Sequence, residues 1–199
     1  MREHRPWPDD LSLRDARQRF FVSYGIGDDG DYDAPWQEAQ FGPLRYRVPN
    51  GPWRARVLRR HDLHHLVTGY AADWRGESQI SAWELGAGLG PFSYAWVIAL
   101  WGLFVGLLLW PAEMARAFRR GRRMRSLYTA PDPDLQGTVA DLRRQLVHGQ
   151  RWEWMDRPAL ALWSMVAMVF GVLSIVPAAL FVAGASTRGC PFRPAHCTG

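Results

Sequence analysis

The sequence predicts an all-α protein, and three observations carry that prediction. Polar residues in the stretch His61-Asp62-Leu63-His64-His65 fall at helical spacing. Glycine and proline divide the chain into segments of helical length, among them 77–86 before Gly86-Ala87-Gly88. Two apolar stretches, 92–110 and 159–184, contain no charged residue and are long enough to be membrane helices.

The N-terminal part begins without an apolar leader, so we expect residues 1–157 to remain in the cytoplasm. Ser12-x-x-Asp15 predicts a capping box that opens a helix ending near Tyr24. Prolines and glycines recur in 34–53 and predict an irregular connection. A helix over 52–68 is then expected to carry the histidines.

His61 and His65 are one turn apart on the same face of that helix, with Asp62 at its edge. Two imidazoles and a carboxylate are ligands that suit zinc or another divalent first-row metal. Glu77, on a second helix after the turn at 69–76, is the candidate fourth ligand. Glu84 shares its face and is a reserve ligand or a group that orients the others, whereas His64 lies on the other flank of the first helix.

These residues carry a family resemblance. His61-Asp62-x-x-His65, eleven residues and then Glu77 resembles the H-D-x-x-H-x11-E signature of the ubiquinone (coenzyme Q) biosynthesis family called Coq-four. The resemblance covers about residues 10–148 and includes Gly69-Tyr70, Gly76-Glu77, Trp83-Glu84, Gly121-Arg122-Arg123, Leu127-Tyr128, Leu142-Arg143 and Leu146.

The resemblance implies one metal ion, a polyprenyl-tailed aromatic precursor of ubiquinone as substrate, loss of the ring carboxylate with or without ring hydroxylation, and contact with other enzymes of the pathway. The residues alone leave a second reading open, a non-catalytic lipid-binding or scaffold protein whose metal joins two helices. An open coordination position would favour the enzyme, and a closed four-ligand shell the scaffold.

All 24 basic residues are arginine, and the net charge is +5. Their placement favours a membrane surface over nucleic acid as partner. Arg59 and Arg60 precede the ligands and are either solvated or attract an anionic head group. The pattern Leu135, Val139, Leu142 and Leu146 predicts an amphipathic helix.

The chain is expected to divide into a helical metal-binding domain, 1–150, and a membrane segment, 151–199. Trp152 and Trp154 indicate an interfacial belt before the apolar segment 159–184. One crossing by that segment would keep 22 of the 24 arginines on the cytoplasmic side of a bacterial-type cytoplasmic membrane. Cys190 and Cys197 would then lie across the membrane, and 92–110 would be a packed helix beside an apolar groove. The alternative is that 92–110 crosses as well, which would place the loop 111–157 and its ten arginines on the other side from the N-terminal domain.

Overall fold

A computed structural model describes residues 7–27, 30, 32–41, 44–147 and 153–187. Within these ranges the chain forms helices, one hairpin and one 3-10 turn. The elements are α1 (Leu13–Tyr24), β1 (Trp36–Phe41), β2 (Leu44–Pro49), α2 (Pro52–Thr68), α3 (Trp74–Ala87), α4 (Ser93–Leu109), α5 (Pro111–Arg122), α6 (Val139–Leu146), the 3-10 turn Glu153–Met155 and α7 (Asp156–Thr187).

The prediction of an irregular connection over 34–53 was wrong in its middle. Strands β1 and β2 pair antiparallel, with Trp36 opposite Pro49 and Phe41 opposite Leu44. The sequence 44–48 alternates apolar and basic residues, which is the two-residue period of a strand. Proline and glycine mark the ends of these short strands instead of preventing them. The helical class is therefore confirmed, with a hairpin added.

The predicted starts and stops of the first helices are confirmed where a local cap determines them. The Ser12 hydroxyl accepts a hydrogen bond from the Asp15 N–H and begins α1. Helix α2 ends at Gly69, whose φ of 76° is in the left-handed region that glycine tolerates. Helix α3 begins one turn earlier than residue 77, because the Asp73 side chain accepts from the Gly76 N–H at 2.8 Å.

Helix α3 lies against α5 at backbone contact. A Cβ atom on Gly86 would lie 2.4 Å from the Phe118 carbonyl oxygen, and one on Gly121 would lie 2.0 Å from that of Trp83. Only glycine permits this approach at both positions. The contact fixes α3, and with it Glu77 and Glu84, relative to the rest of the bundle.

Helix α4 confirms the expectation that the apolar segment 92–110 packs on the motif helices. Ala95, Ala99 and Leu103 are fully buried in the core. Gly102 lies against Ser81 of α3, and Gly106 lies against Met114 of α5. Helix α4 is therefore a central helix of the bundle.

The predicted amphipathic helix from Leu135 is shorter than expected. Helix α6 begins at Val139, where Thr138 and Asp141 form a capping box. The segment before it turns at Asp134, whose carbonyl accepts from the Gly137 N–H at 3.0 Å. Gly137 in turn accepts from the Leu13 N–H at 2.8 Å, so Leu135 lies in a segment joined to the start of α1.

Helix α7 contains the described part of the predicted membrane segment, and its part Asp156–Ile175 is long and apolar enough to cross a bilayer. It is joined to α5 by an ion pair between Arg122 and Asp156 at 3.0 Å. Of the predicted interfacial belt, Trp154 is 71% exposed. Trp152, Cys190 and Cys197 lie outside the described residues, and the boundary near residue 150 stays a prediction.

Candidate metal centre

Three of the predicted ligands come together between α2 and α3: His61, His65 and Glu77. The His61 Nε2 atom lies 3.1 Å from Glu77 Oε2 and 3.3 Å from His65 Nε2. His65 Nε2 lies 3.4 Å from Glu77 Oε1. Both imidazoles are buried, whereas 42% of the Glu77 side chain is exposed. The group could hold a metal ion and opens to solvent beside Glu77.

The turn between the two helices places Glu77 opposite the histidines. It needs glycine twice, at Gly69 for its positive φ and at Gly76 for close approach. A Cβ on Gly76 would lie 1.9 Å from the Ala71 carbonyl oxygen. The chain therefore reverses within a few residues, and the first turn of α3 faces the last turns of α2.

Each ligand imidazole is oriented through its other ring nitrogen. His65 Nδ1 donates to the Tyr70 carbonyl at 2.9 Å, and His61 Nδ1 donates to Glu84 Oε1 at 2.9 Å. A carbonyl and a carboxylate are acceptors only, so both Nδ1 atoms carry a proton. Both Nε2 atoms therefore face the space beside Glu77, and each offers a lone pair to an ion when its ring is neutral. This is the arrangement that holds histidine ligands on a metal.

The two imidazoles and the Glu77 carboxylate are spaced about as ligands are around one tetrahedral ion. Ligand atoms about 2.0–2.1 Å from a tetrahedral zinc lie roughly 3.3–3.4 Å from one another. The two Nε2 atoms are 3.3 Å apart, and each lies at a similar distance from a different Glu77 oxygen, 3.1 Å for His61 to Oε2 and 3.4 Å for His65 to Oε1. Two imidazole lone pairs this close repel each other unless a cation or a proton lies between them. The residues therefore fit a divalent metal ion.

Glu84 is the shared hydrogen-bond acceptor behind the candidate ligands. Its Oε1 atom accepts from His61 Nδ1 at 2.9 Å, from His64 Nδ1 at 2.7 Å and from the Tyr128 hydroxyl at 3.1 Å. Burial of this carboxylate favours its neutral form, but His61 and His64 outweigh that effect and hold the Glu84 pKa at about 2. Glu84 therefore stays ionised and orients His61 through the hydrogen bond from its Nδ1 atom.

His64 lies outside the group of three. Its Nε2 atom accepts from the Leu127 N–H at 2.8 Å, so its proton is on Nδ1 and is donated to Glu84. Burial lowers the His64 pKa, in keeping with a neutral ring. His64 thus links the site to the segment after α5. It also donates to Glu84, the same acceptor that orients His61.

Asp62 is not part of the group of three. Its Oδ2 atom accepts a hydrogen bond from the Tyr32 hydroxyl. Burial raises the Asp62 pKa above its ordinary value, against the influence of His61. Burial and the Asp62 charge also raise the Tyr32 pKa, so this hydroxyl keeps its proton and donates it. The assignment of Asp62 as a metal ligand therefore stays a prediction.

The electrostatics of the cluster favour a cation. Burial works against charge on both Glu77 and His61, yet the attraction of His65 and His61 holds the Glu77 pKa well below its usual range. Glu84 and Glu77 likewise raise the His61 pKa. Phe20 of α1 stacks on the His65 ring at 5.1 Å and closes one side of the site.

Arg59 does not lie on the His61 face of α2. Arg59 and His61 are about 200° apart around α2, since each residue advances the helix by about 100°. Arg59 and Arg60 both line a cleft of about 550 Å³ with Tyr32, Leu63 and Asp132. Arg59 pairs with Asp33 at 3.2 Å and Arg60 with Asp132 at 2.7 Å. Head-group binding by this pair stays a prediction, and it would occur in this cleft.

The sequence does not predict four partners of the site, Tyr32, Tyr70, Tyr128 and Leu127. Tyr32 and Tyr128 reach it from 30 and 44 residues away, and Tyr70 and Leu127 act through their backbones. No spacing in the chain signals such contacts. The spacing of the motif predicted only His61, His65 and Glu77, the three side chains that converge.

The comparisons with known proteins give no match. No family model, no curated protein and no solved structure matches this chain.

Proposed function

We propose that this chain is a membrane-associated metalloprotein of ubiquinone biosynthesis. It binds one divalent ion, zinc foremost, and acts on a polyprenylated aromatic precursor, removing the carboxylate at ring position C1 with or without coupled hydroxylation. The observation that carries the metal part is the triangle of His61, His65 and Glu77, with both imidazoles oriented from behind. The pathway and the substrate rest on the motif resemblance.

An enzyme needs a coordination position that substrate can reach, and the described geometry favours one. Only three side chains converge in this cluster of the described chain, and the Glu77 carboxylate is partly exposed. Catalytic zinc sites have three protein ligands and an open fourth position. When bound, the ion would supply a Lewis acid for a carboxylate or phenolate of the substrate.

The protein's own residues have defined parts in this proposal. Glu84 and the Tyr70 carbonyl keep the His61 and His65 rings in the ligand tautomer. Phe20 gives the site an apolar wall beside His65. In simple decarboxylation the bond between the ring and its carboxyl carbon breaks, CO2 leaves, and the ring carbon takes a proton from water. Coupled hydroxylation replaces the carboxylate by a hydroxyl group, which is a two-electron oxidation and would also need O2 as oxidant.

Lipid extraction and mass spectrometry of a strain that lacks this protein test the pathway. We expect a prenylated benzoate to accumulate and ubiquinone to fall, with recovery on expression of the wild-type chain. A His61→Ala, His65→Ala chain expressed at the same level should not restore ubiquinone. A lipid profile equal to that of the parent strain would overturn the proposal.

The second candidate function is a scaffold in which the metal only joins α2 to α3. The contact between Tyr32 and Asp62 bears on whether the protein is an enzyme or a scaffold. If Asp62 left Tyr32 and joined the ion, four protein ligands would close the site. Cobalt substitution distinguishes the alternatives. The visible spectrum of an open site should change when a benzoate is added, whereas that of a closed shell should not.

A further inference from the structure

Helix α7 packs against α4, and this packing limits the ways in which α7 can lie in a membrane. The Trp96 and Trp163 rings lie 5.1 Å apart, and Gly171 lies against the Phe104 ring. Residue 96 is thus level with 163 and residue 104 with 171, an offset of 67 in both cases. Helices α4 and α7 therefore run parallel, side by side.

This pairing sets the height of the metal centre along α7. A Cβ on Gly102 would lie 3.3 Å from the Glu77 carbonyl oxygen, and Gly102 is level with residue 169 by the same offset. Residue 169 is about 20 Å beyond Asp156 at 1.5 Å per residue. The hydrocarbon core of a bilayer is roughly 30 Å thick. An upright crossing by Asp156–Ile175 would place Glu77 near the middle of the membrane.

Other charged groups would be carried into the hydrocarbon with Glu77. Gly106 of α4 touches Met114 of α5, which is therefore level with about residue 173. Exposed Arg116 and Arg119 follow on α5, and the pair Arg75 and Glu113 lies beside Met114. Charged side chains at bilayer depth are costly. An upright crossing by this part of α7 is thus incompatible with the bundle packed beside it.

The outer face of α7 nevertheless requires an apolar environment. Leu162, Met165, Val169, Val172 and Leu173 are each at least 52% exposed, and they follow one another at helical spacing. Neither α4 nor residues 158–175 of α7 contain a charged side chain. Leu108 and Leu109 of α4, each 59% exposed, extend the apolar surface. A patch of this extent is not a usual soluble surface.

We propose that Asp156–Ile175 lies along the bilayer surface, with the outer face of α7 in the lipid and the bundle on the aqueous side. Asp156 suits this orientation because its charge is paired with Arg122. Exposed Trp154, just before α7, fits the interfacial zone where tryptophan is enriched. This arrangement buries the apolar face while Glu77, Arg116 and Arg119 stay in water.

Spin labels on the full-length chain in bilayers of phosphatidylcholine and phosphatidylglycerol test the orientation. Cys190 and Cys197 are first replaced by serine, and single cysteines are then introduced at Leu162, Val169, Leu173 and Arg119. Gln18 of α1, which is exposed, provides the aqueous control. Relaxation by oxygen and by a water-soluble nickel chelate measures the depth of each label.

We expect the labels at 162, 169 and 173 to share one shallow depth, within about 5–10 Å of the head groups. The label at 119 should remain accessible to nickel, like that at 18. Depth that changes by about 16 Å between 162 and 173, with 119 shielded from nickel, would establish the crossing and overturn the proposal. Labels on α7 that reach neither oxygen nor nickel and show spin–spin broadening would indicate a second copy and would also overturn it.

All of the labelled side chains are exposed, so the substitutions leave the core intact. Metal content and the melting temperature check each variant. Met165 is one turn from Val169 and replaces Leu162 if that variant does not fold.

Discussion

Helix α3 contacts two neighbours in opposite ways. Towards α5 the backbones touch at Gly86 and Gly121, and no side chain separates them there. Towards α2 the space is filled by imidazoles and carboxylates that bond to one another. The tight contact fixes the position of α3, and the wide one provides room for an ion. Changes in the α2–α3 contact should therefore affect metal binding, whereas changes in the α3–α5 contact should affect the stability of the whole bundle.

The largest effect is expected from removing two ligands on the wide side. His61→Ala, His65→Ala should reduce bound zinc from one per chain to background, because one carboxylate cannot hold the ion alone. Elemental analysis of the purified protein measures this. His64→Ala is the matched control: it should keep the metal while lowering the melting temperature, since the Leu127 N–H loses its acceptor. Metal loss as complete as in the double variant would show that His64 is a ligand.

Disrupting the tight side should destabilise the whole bundle. Gly121→Ala places a Cβ 2.0 Å from the Trp83 carbonyl oxygen, a backbone clash that flexible side chains cannot relieve. We expect a loss of about 3 kcal/mol in the free energy of unfolding. Chemical unfolding in detergent measures it. Gly137→Ala, whose nearest atom is 3.1 Å away, should change stability by about 1 kcal/mol or less. Equal effects of the two variants would contradict the assigned role of the tight contact.

Glu84 should make the wide contact sensitive to acid. Its folded pKa of about 2 lies below the ordinary 4.5, so its stabilisation is present above pH 4.5 and is lost as the pH falls towards 2. Between neutral and acid pH the free energy of unfolding should therefore fall by about a few kcal/mol less in Glu84→Gln than in the wild-type protein. Melting temperatures of chelator-treated protein between pH 7 and 3 measure it without interference from metal release. Asp10→Asn, on the exposed surface, is the control and should leave the profile unchanged.

The smallest effect is expected at the edge of the site. Tyr32→Phe removes the donor that holds Asp62 and frees that carboxylate to reach an ion. Zinc affinity should then rise, by about tenfold or less. Competition with a chromogenic chelator measures the change. Asp62→Asn in the Tyr32→Phe background should abolish the gain; if it does not, Asp62 is not the group that moves.

The bounds of α2 and three residues of the candidate site could be predicted, because local signals determine them. Pro52 and Gly69 bound α2, and the spacing of His61, His65 and Glu77 predicted three side chains that converge and could hold an ion. The hairpin was missed, because its glycine and proline were interpreted as breaking structure. The contact of Asp62 with Tyr32 could not be predicted. It depends on where a loop crosses α2, which only the folded chain determines.

The short link between α2 and α3 also has a consequence for the order of folding. His61, His65 and Glu77 fall within seventeen consecutive residues, so one short loop closure assembles the ligand group. Such local contacts form quickly, before contacts that join distant parts of the chain. An ion can therefore bind a partly folded chain and hold α2 against α3 while α7 is still unattached. Zinc added at the start of refolding should then speed recovery of the native state more than zinc added at the end.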